Sequence, residues 1–272
     1  MSRLRDAFKA GKAFIPFITC GDPSLAATER LVRATACALS MAGVRATAEA
    51  GADIIELGIP FSDPTAEGPV IQAANVRALA GGVTADKIFA MVRRLRERID
   101  TPMVFMTYAN VVYSYGTESF VKIASDLEID GLILPDVPFE EKEEFAAPCR
   151  AAGLELVSLI APTSNDRISL IARAAEGFVY CVSSLGVTGV RSEITTDVGA
   201  MVRLVKKERE IPCAVGFGIS TPEQARRMAS AADGVIVGSA VVKLCAQYGE
   251  EAAPYVAEYV REMKAAVREG GR

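Results

Sequence analysis

The sequence predicts a single α/β domain over residues 1–272, folded as a (β/α)8 barrel, and three observations carry that expectation. Eight short apolar runs alternate with helical patterns, no linker or break in composition divides them, and 272 residues is close to the about 250 typical of this fold. An open, doubly wound sheet is the alternative fold, weakened because no GxGxxG follows the first run.

Composition narrows the function. Half of the residues are hydrophobic and 24% are charged, enough to bury a large core. The formal charge of −4 leaves no basic excess for a nucleic-acid surface. No apolar stretch reaches the roughly 18 residues that span a bilayer, and the N-terminus turns charged too quickly for a secretory segment, so a cytoplasmic protein is expected. None of the six cysteines forms a CxxC pair, and histidine is absent. Neither a metal site nor a thioredoxin-like motif is therefore expected, and acid/base chemistry falls to carboxylates, Tyr, Lys or Cys.

Taken in order, the chain starts with a polar amphipathic segment, and the run 13–20 is then closed as a strand by Gly21-Asp22-Pro23. Ser24 can cap a first barrel helix that runs through Ala-rich sequence toward Gly51. Within it, Val32-Arg33-Ala34-Thr35-Ala36 returns as Val44-Arg45-Ala46-Thr47-Ala48, which marks 37–48 as an insertion or as a chance echo between Ala-rich stretches. Twelve extra helical residues would add about 18 Å and turn the following face by about 120°, so a looped-out or separate helical segment with Gly43 as breaker is expected.

The other strands are expected at 53–58, 102–107, 131–135, 155–159, 178–182, 212–216 and 234–237. Helices are expected at 84–98, 116–127, 140–152, 165–175, 197–207, 221–230 and 250–268. Two extra helices, 70–80 after strand two and 239–247 after strand eight, interrupt the alternation on the side of a barrel where active sites form.

Candidate chemistry gathers at the predicted strand ends. Glu56 sits in an apolar strand, a costly place for a carboxylate unless its charge or proton is used or a cation pairs with it. Tyr108 and Tyr180 read as pocket wall, and Asp136 either as a helix-capping turn or as a substrate contact. Gly216-Phe217-Gly218 and Gly238-Ser239 follow strands seven and eight. There, glycine-rich backbone and a helix N-terminus that Ser239 can cap favour a phosphate, the alternative being ordinary tight turns. The segment 183–193 combines glycines, hydroxyls and charge and reads as a lid, or as a plain surface loop. No lysine falls at a predicted strand end, which argues against a Schiff base and leaves Glu56 and the loop acid Glu67 as the acid/base pair.

These residues resemble the tryptophan synthase alpha chain family: FIPFITCGDP (14–23), ELGIPFSDPTAEG (56–68), Tyr108 to Asn110, Asp136 to Pro138, GVTG (186–189), GFGIS (216–220) and GSA (238–240), all in order. The resemblance spans the chain outside 37–48. It implies retro-aldol cleavage of indole-3-glycerol phosphate to indole and glyceraldehyde 3-phosphate, with Glu56 as general acid/base and Glu67 stabilising positive charge at the indole nitrogen. It further implies Tyr180 as a pocket residue and Thr188, Gly189, Gly216, Phe217, Gly218, Gly238 and Ser239 as substrate contacts, mainly around the phosphate. A pyridoxal-phosphate beta chain in an α2β2 assembly is the implied partner, facing Pro60 and Asp63, while the alpha chain needs no cofactor. The second acid is Asp in typical members. Glu67 is one methylene longer, so its carboxylate is expected to be retracted or its loop shifted by roughly 1 Å. This departure and the insertion leave, as an alternative, a weakened homologue that mainly activates the beta chain.

Overall fold

In a computed structural model, described for residues 2–36, 51–183 and 197–271, eight parallel strands close into a barrel in sequence order. After a short helix α1 (Arg3–Ala7), strand β1 (Ala13–Thr19) and helix α2 (Leu25–Thr35) form the first unit. Strand β2 (Ile55–Gly58) is followed by α3 (Pro69–Ala80) and α4 (Ala85–Arg96), and β3 (Met103–Met106) by α5 (Ala109–Tyr115) and α6 (Thr117–Asp126). Next come β4 (Gly131–Ile133) with α7 (Glu143–Ala152), β5 (Glu155–Ile160) with α8 (Ile168–Arg173), and β6 (Val179–Val182) with α9 (Val198–Glu208). Strand β7 (Cys213–Gly216) with α10 (Pro222–Ala229), then β8 (Gly234–Val237) with α11 (Ser239–Tyr248) and α12 (Ala252–Glu269), complete the order.

The expected extra helices after strands two and eight are α3 and α11. The first barrel helix differs from expectation, ending at Thr35 instead of running toward Gly51. Ala36 turns extended and bridges Ala52, whose N–H donates to the Thr35 carbonyl, so the chain leaves and re-enters the barrel at adjacent points. The insertion at 37–48 lies outside the described residues.

Strand periodicity decides which groups reach the interior. Residues two apart share a face. On β2, Ile55 and Leu57 pack outward against the helices, whereas Ile54 joins the inner core with Ile15, Val104 and Ile236. Glu56 follows Ile54 on that inner face, one layer nearer the C-terminal rim. Leu4 of α1, fully buried, belongs to the same inner cluster and closes the N-terminal end of the barrel.

That end also carries a repeated device. Asp53, Asp130 and Asp233 each stand just before an even-numbered strand and accept a backbone N–H from the preceding strand: Phe14 at 2.7 Å, Met103 at 2.9 Å and Cys213 at 2.9 Å. A helix cation neutralises each carboxylate, namely Lys264 of α12, Arg96 of α4 and Lys206 of α9. The pairs therefore fix strand register and dock the outer helices with the same atoms.

Candidate active site

At the C-terminal rim, Glu56, Glu67, Tyr180, Phe217, Gly218, Gly238 and Ser239 line a single pocket whose apolar wall includes Phe17, Ile71, Met106, Ile133 and Leu159. Seven of the residues expected from the sequence thus meet, although they come from β2, β6, the ends of β7 and β8, and the loop before α3. Gly216 does something else. A side chain there would begin 2.4 Å from the Tyr180 hydroxyl oxygen, so glycine makes room for that ring and is not itself a wall of the pocket. Gly216→Ala is expected to displace Tyr180 and to cost about 1–3 kcal/mol through overpacking. Urea denaturation and the affinity for a substrate analogue should both fall, and an unchanged affinity would show that Tyr180 tolerates the move.

Glu56 and Glu67 are each only 3% exposed. Burial, followed by the neighbouring Glu67 charge, pushes Glu56 up to about 8. Burial pushes Glu67 up to about 7, opposed by a hydrogen bond from the Asn75 side chain. Two carboxyl groups in one apolar pocket do not ionise together readily, and of the two Glu56, pushed up further and without a hydrogen bond to its Oε2, is the one that favours keeping the proton. The Glu56 Oε2 atom is buried without a hydrogen-bond partner among the described residues. An orphaned carboxyl oxygen facing a pocket is a group kept for a ligand.

Glu67 is held from α3, and the residue before it from Tyr108, which follows β3. Asn75 Nδ2 donates to its Oε2 at 2.6 Å, and Gln72 Nε2 donates to its carbonyl at 2.7 Å. Next to it, the Ala66 N–H donates to the Tyr108 hydroxyl at 3.2 Å, and the Tyr108 ring packs against Phe61 at 5.3 Å. The loop carrying the second acid is therefore pinned at four points, and the longer side chain of Glu67 ends on Asn75.

Phe217 and Gly218 have φ of +78° and +76°, two successive left-handed residues that turn the chain sharply after β7. Ser183, fully buried, fixes this turn by donating to the Phe217 carbonyl at 2.7 Å. The N-cap of α11 is Gly238, without a side-chain cap, and Ser239 is the first helical residue. This corrects the expectation that Ser239 caps the helix. A ten-residue helix with an uncapped N-terminus on the pocket wall suits an anion.

Asp136 resolves toward capping, but of a neighbouring helix, because its carboxylate accepts the Ala109 N–H at the start of α5. Pro60 is buried, whereas Ser62 and Asp63 are exposed, so the outward part of that loop is narrower than expected. Thr188 and Gly189, with the rest of the segment expected as a lid or surface loop after Ser183, lie outside the described residues. Sequence reading missed Asn75, Gln72, Phe17 and Ile71. The two α3 polar residues carry a faint signal, being three apart on one face of a helix that follows an acidic loop.

A family profile described as tryptophan synthase alpha chain matches residues 4–268. The chain belongs to the tryptophan synthase alpha chain family. A family member from Shouchella clausii is 51% identical over 89% of this chain and 86% of its own, and one from Lacticaseibacillus casei is 44% identical over 98% and 96%. Among solved structures, a Mycobacterium tuberculosis tryptophan synthase chain superposes with a TM-score of 0.85 at 34% identity, covering 98% of both chains. A chain from Pyrococcus furiosus, studied for mutual activation of the tryptophan synthase α2β2 complex, gives 0.81 at 35% identity over 93% of this chain and 98% of its own. Membership of the tryptophan synthase alpha chain family accords with the barrel and its full-length coverage, and places this chain in tryptophan biosynthesis. Among the described residues, no helix is long and apolar enough to cross a membrane, and no group of three or more potential ligands is placed to hold a metal.

Proposed function

We propose that this chain cleaves indole-3-glycerol phosphate to indole and glyceraldehyde 3-phosphate, as a carbon–carbon lyase working with two carboxyl groups and no cofactor of its own. The observation that carries the reading is the buried Glu56, one of its carboxyl oxygens without a partner among the described residues, beside Glu67 in an apolar pocket. Glu56 gives its proton to C3 of the indole ring, which leaves a cationic indolenine. The Glu67 carboxylate faces the ring nitrogen and stabilises that charge where water is excluded. Glu56, now ionised, takes the proton of the glyceryl hydroxyl next to the ring. The bond between that carbon and C3 then breaks, its electron pair restores indole, and the hydroxyl carbon becomes the aldehyde. One proton leaves Glu56 and one returns, so the enzyme is regenerated.

The apolar wall of Phe17, Ile133 and Leu159 suits the flat indole ring, and Tyr180 packs edge-on to Phe217 at 6.1 Å beside it. Phe217, Gly218, Gly238 and Ser239 receive the phosphate, with Thr188 and Gly189 of the lid completing the contacts. The exposed loop with Asp63, continued inward by Pro60, faces a beta chain in an α2β2 assembly, the state named for the Pyrococcus furiosus relative. The work is done by one cytoplasmic barrel.

Indole release by the purified chain, measured alone and with a beta chain, tests the reading. Turnover that rises on adding the partner is expected. Absence of turnover in both cases would overturn it, and stimulation of the partner without turnover would point to the weakened homologue instead.

A further inference from the structure

Helix α3 is docked on both sides of Asn75, whose side chain it sends to the carboxyl group of Glu67. Ile71, Ala74 and Ala78 bury its apolar face, and Arg77 clamps the 2%-exposed Asp22 through Nε and Nη2 at 2.7 and 2.8 Å. Between these anchors Asn75 is only 4% exposed, and its amide donates to Glu67 Oε2 at 2.6 Å. Gln72, one turn earlier, holds the Glu67 carbonyl, so backbone and side chain of the same residue are tied to one rigid helix.

We propose that Asn75 is a positioning residue for the cleavage reaction, its side-chain amide holding the Glu67 carboxylate in the pocket at the place where the indole nitrogen arrives. The inference rests on the reading of Glu67 given above. A flexible glutamate has one more torsion than an aspartate and loses more rotamer freedom when fixed. Without a tether, its carboxylate would turn away from the apolar wall toward water. A hydrogen bond to the ionised form both fixes the oxygen and favours the charged state, which is the state that stabilises a cation.

The groups around Glu67 leave this task to Asn75. Glu56 from β2 faces it with a like charge or a proton, and Tyr108 from the end of β3 faces it as a neutral phenol, its own ionisation pushed up by burial and by Glu67. Tyr180 of β6 faces Glu56 and is likewise held neutral. From α3, Arg77 is committed to Asp22, and Gln72 reaches only the backbone of Glu67.

The test compares the pH dependence of kcat and KM for the parent, Asn75→Ala, Asn75→Asp and Glu67→Gln, each with its beta chain. Asn75→Ala is expected to move the acid limb of the profile upward by about one pH unit or more and to lower kcat at neutral pH by about tenfold, with KM nearly unchanged. Asn75→Asp keeps the shape, so it covers the case in which the alanine variant fails to fold. It places a second carboxyl against Glu67 and should move the limb further. Equal loss at every pH with the limb unmoved, or no loss in either variant, would overturn the proposal and leave Asn75 a packing residue. The Glu67→Gln variant separates the two levels: parental activity there would defeat the reading of Glu67 itself, whereas its inactivity alongside an unmoved limb in both Asn75 variants would defeat only the role of Asn75.

Discussion

Glu56→Gln is expected to lower kcat by about 10²–10⁴-fold while leaving substrate affinity nearly intact, because it removes the transferable proton and keeps the shape of the side chain. Retention of more than about a tenth of the rate would make Glu56 structural. The same variant carries its own control for folding. A carboxyl whose folded-state pKa is raised to about 8 contributes its full stability below the ordinary carboxylate range and loses it as pH rises through about 8. Glutamine does not ionise. The variant should therefore gain stability relative to its parent as pH rises from about 4.5 to about 8, by on the order of a few kcal/mol in all, and the gap should level off above about pH 8. A gap that stays constant with pH would mean that Glu56 is ionised throughout.

Lys264→Met is expected to have the largest effect on stability. The Lys264 and Asp53 side chains are 2% and 14% exposed, and removing the cation leaves a largely buried carboxylate uncompensated. Loss of one partner from such a pair costs about 3–5 kcal/mol, readable as a lower denaturant midpoint at unchanged slope. Adding Asp53→Asn should recover much of the loss, since the amide oxygen still accepts the Phe14 N–H and no charge is stranded. The corresponding change at the barrel's other end of the series, Lys206→Met, meets a pair at 27% and 30% exposure and should cost only about 0–1 kcal/mol. Equal costs at the two sites would show that burial does not set the strength of these pairs.

Those pairs also show what could and could not be read from the chain. The barrel was legible because each strand is a compact apolar run and each helix repeats its apolar positions at helical spacing, so eight units and two extra helices follow from local pattern. Asp53, Asp130 and Asp233 are visible there only as acids before strands. Their cations come from helices up to 211 residues away, and only the closed barrel brings Lys264 to Asp53. The short helices α1 and α5, of five and seven residues, offer too few turns for periodicity to register.

The site divides in the same way. Glu56 and Glu67 declare themselves because a carboxylate in an apolar strand and one in a rigid acidic loop both ask for a reason. Gly216 looks like a phosphate glycine in sequence, and its packing role against Tyr180 is hidden there because Tyr180 comes from a different strand. Asn75 looks like an ordinary polar residue in mid-helix. Its meaning depends on the docking of α3, which Arg77 and Asp22 arrange across a gap of 55 residues.

Of the two pocket carboxyl groups, Glu56 is expected to carry its proton at neutral pH. Infrared difference titration reads this directly, because a protonated carboxyl has a carbonyl stretch that the carboxylate lacks. A carboxyl band is expected that persists at neutral pH, disappears as pH rises through about 8 and is missing from Glu56→Gln. A band that disappears in the ordinary carboxylate range, or that survives unchanged in Glu56→Gln, would contradict it.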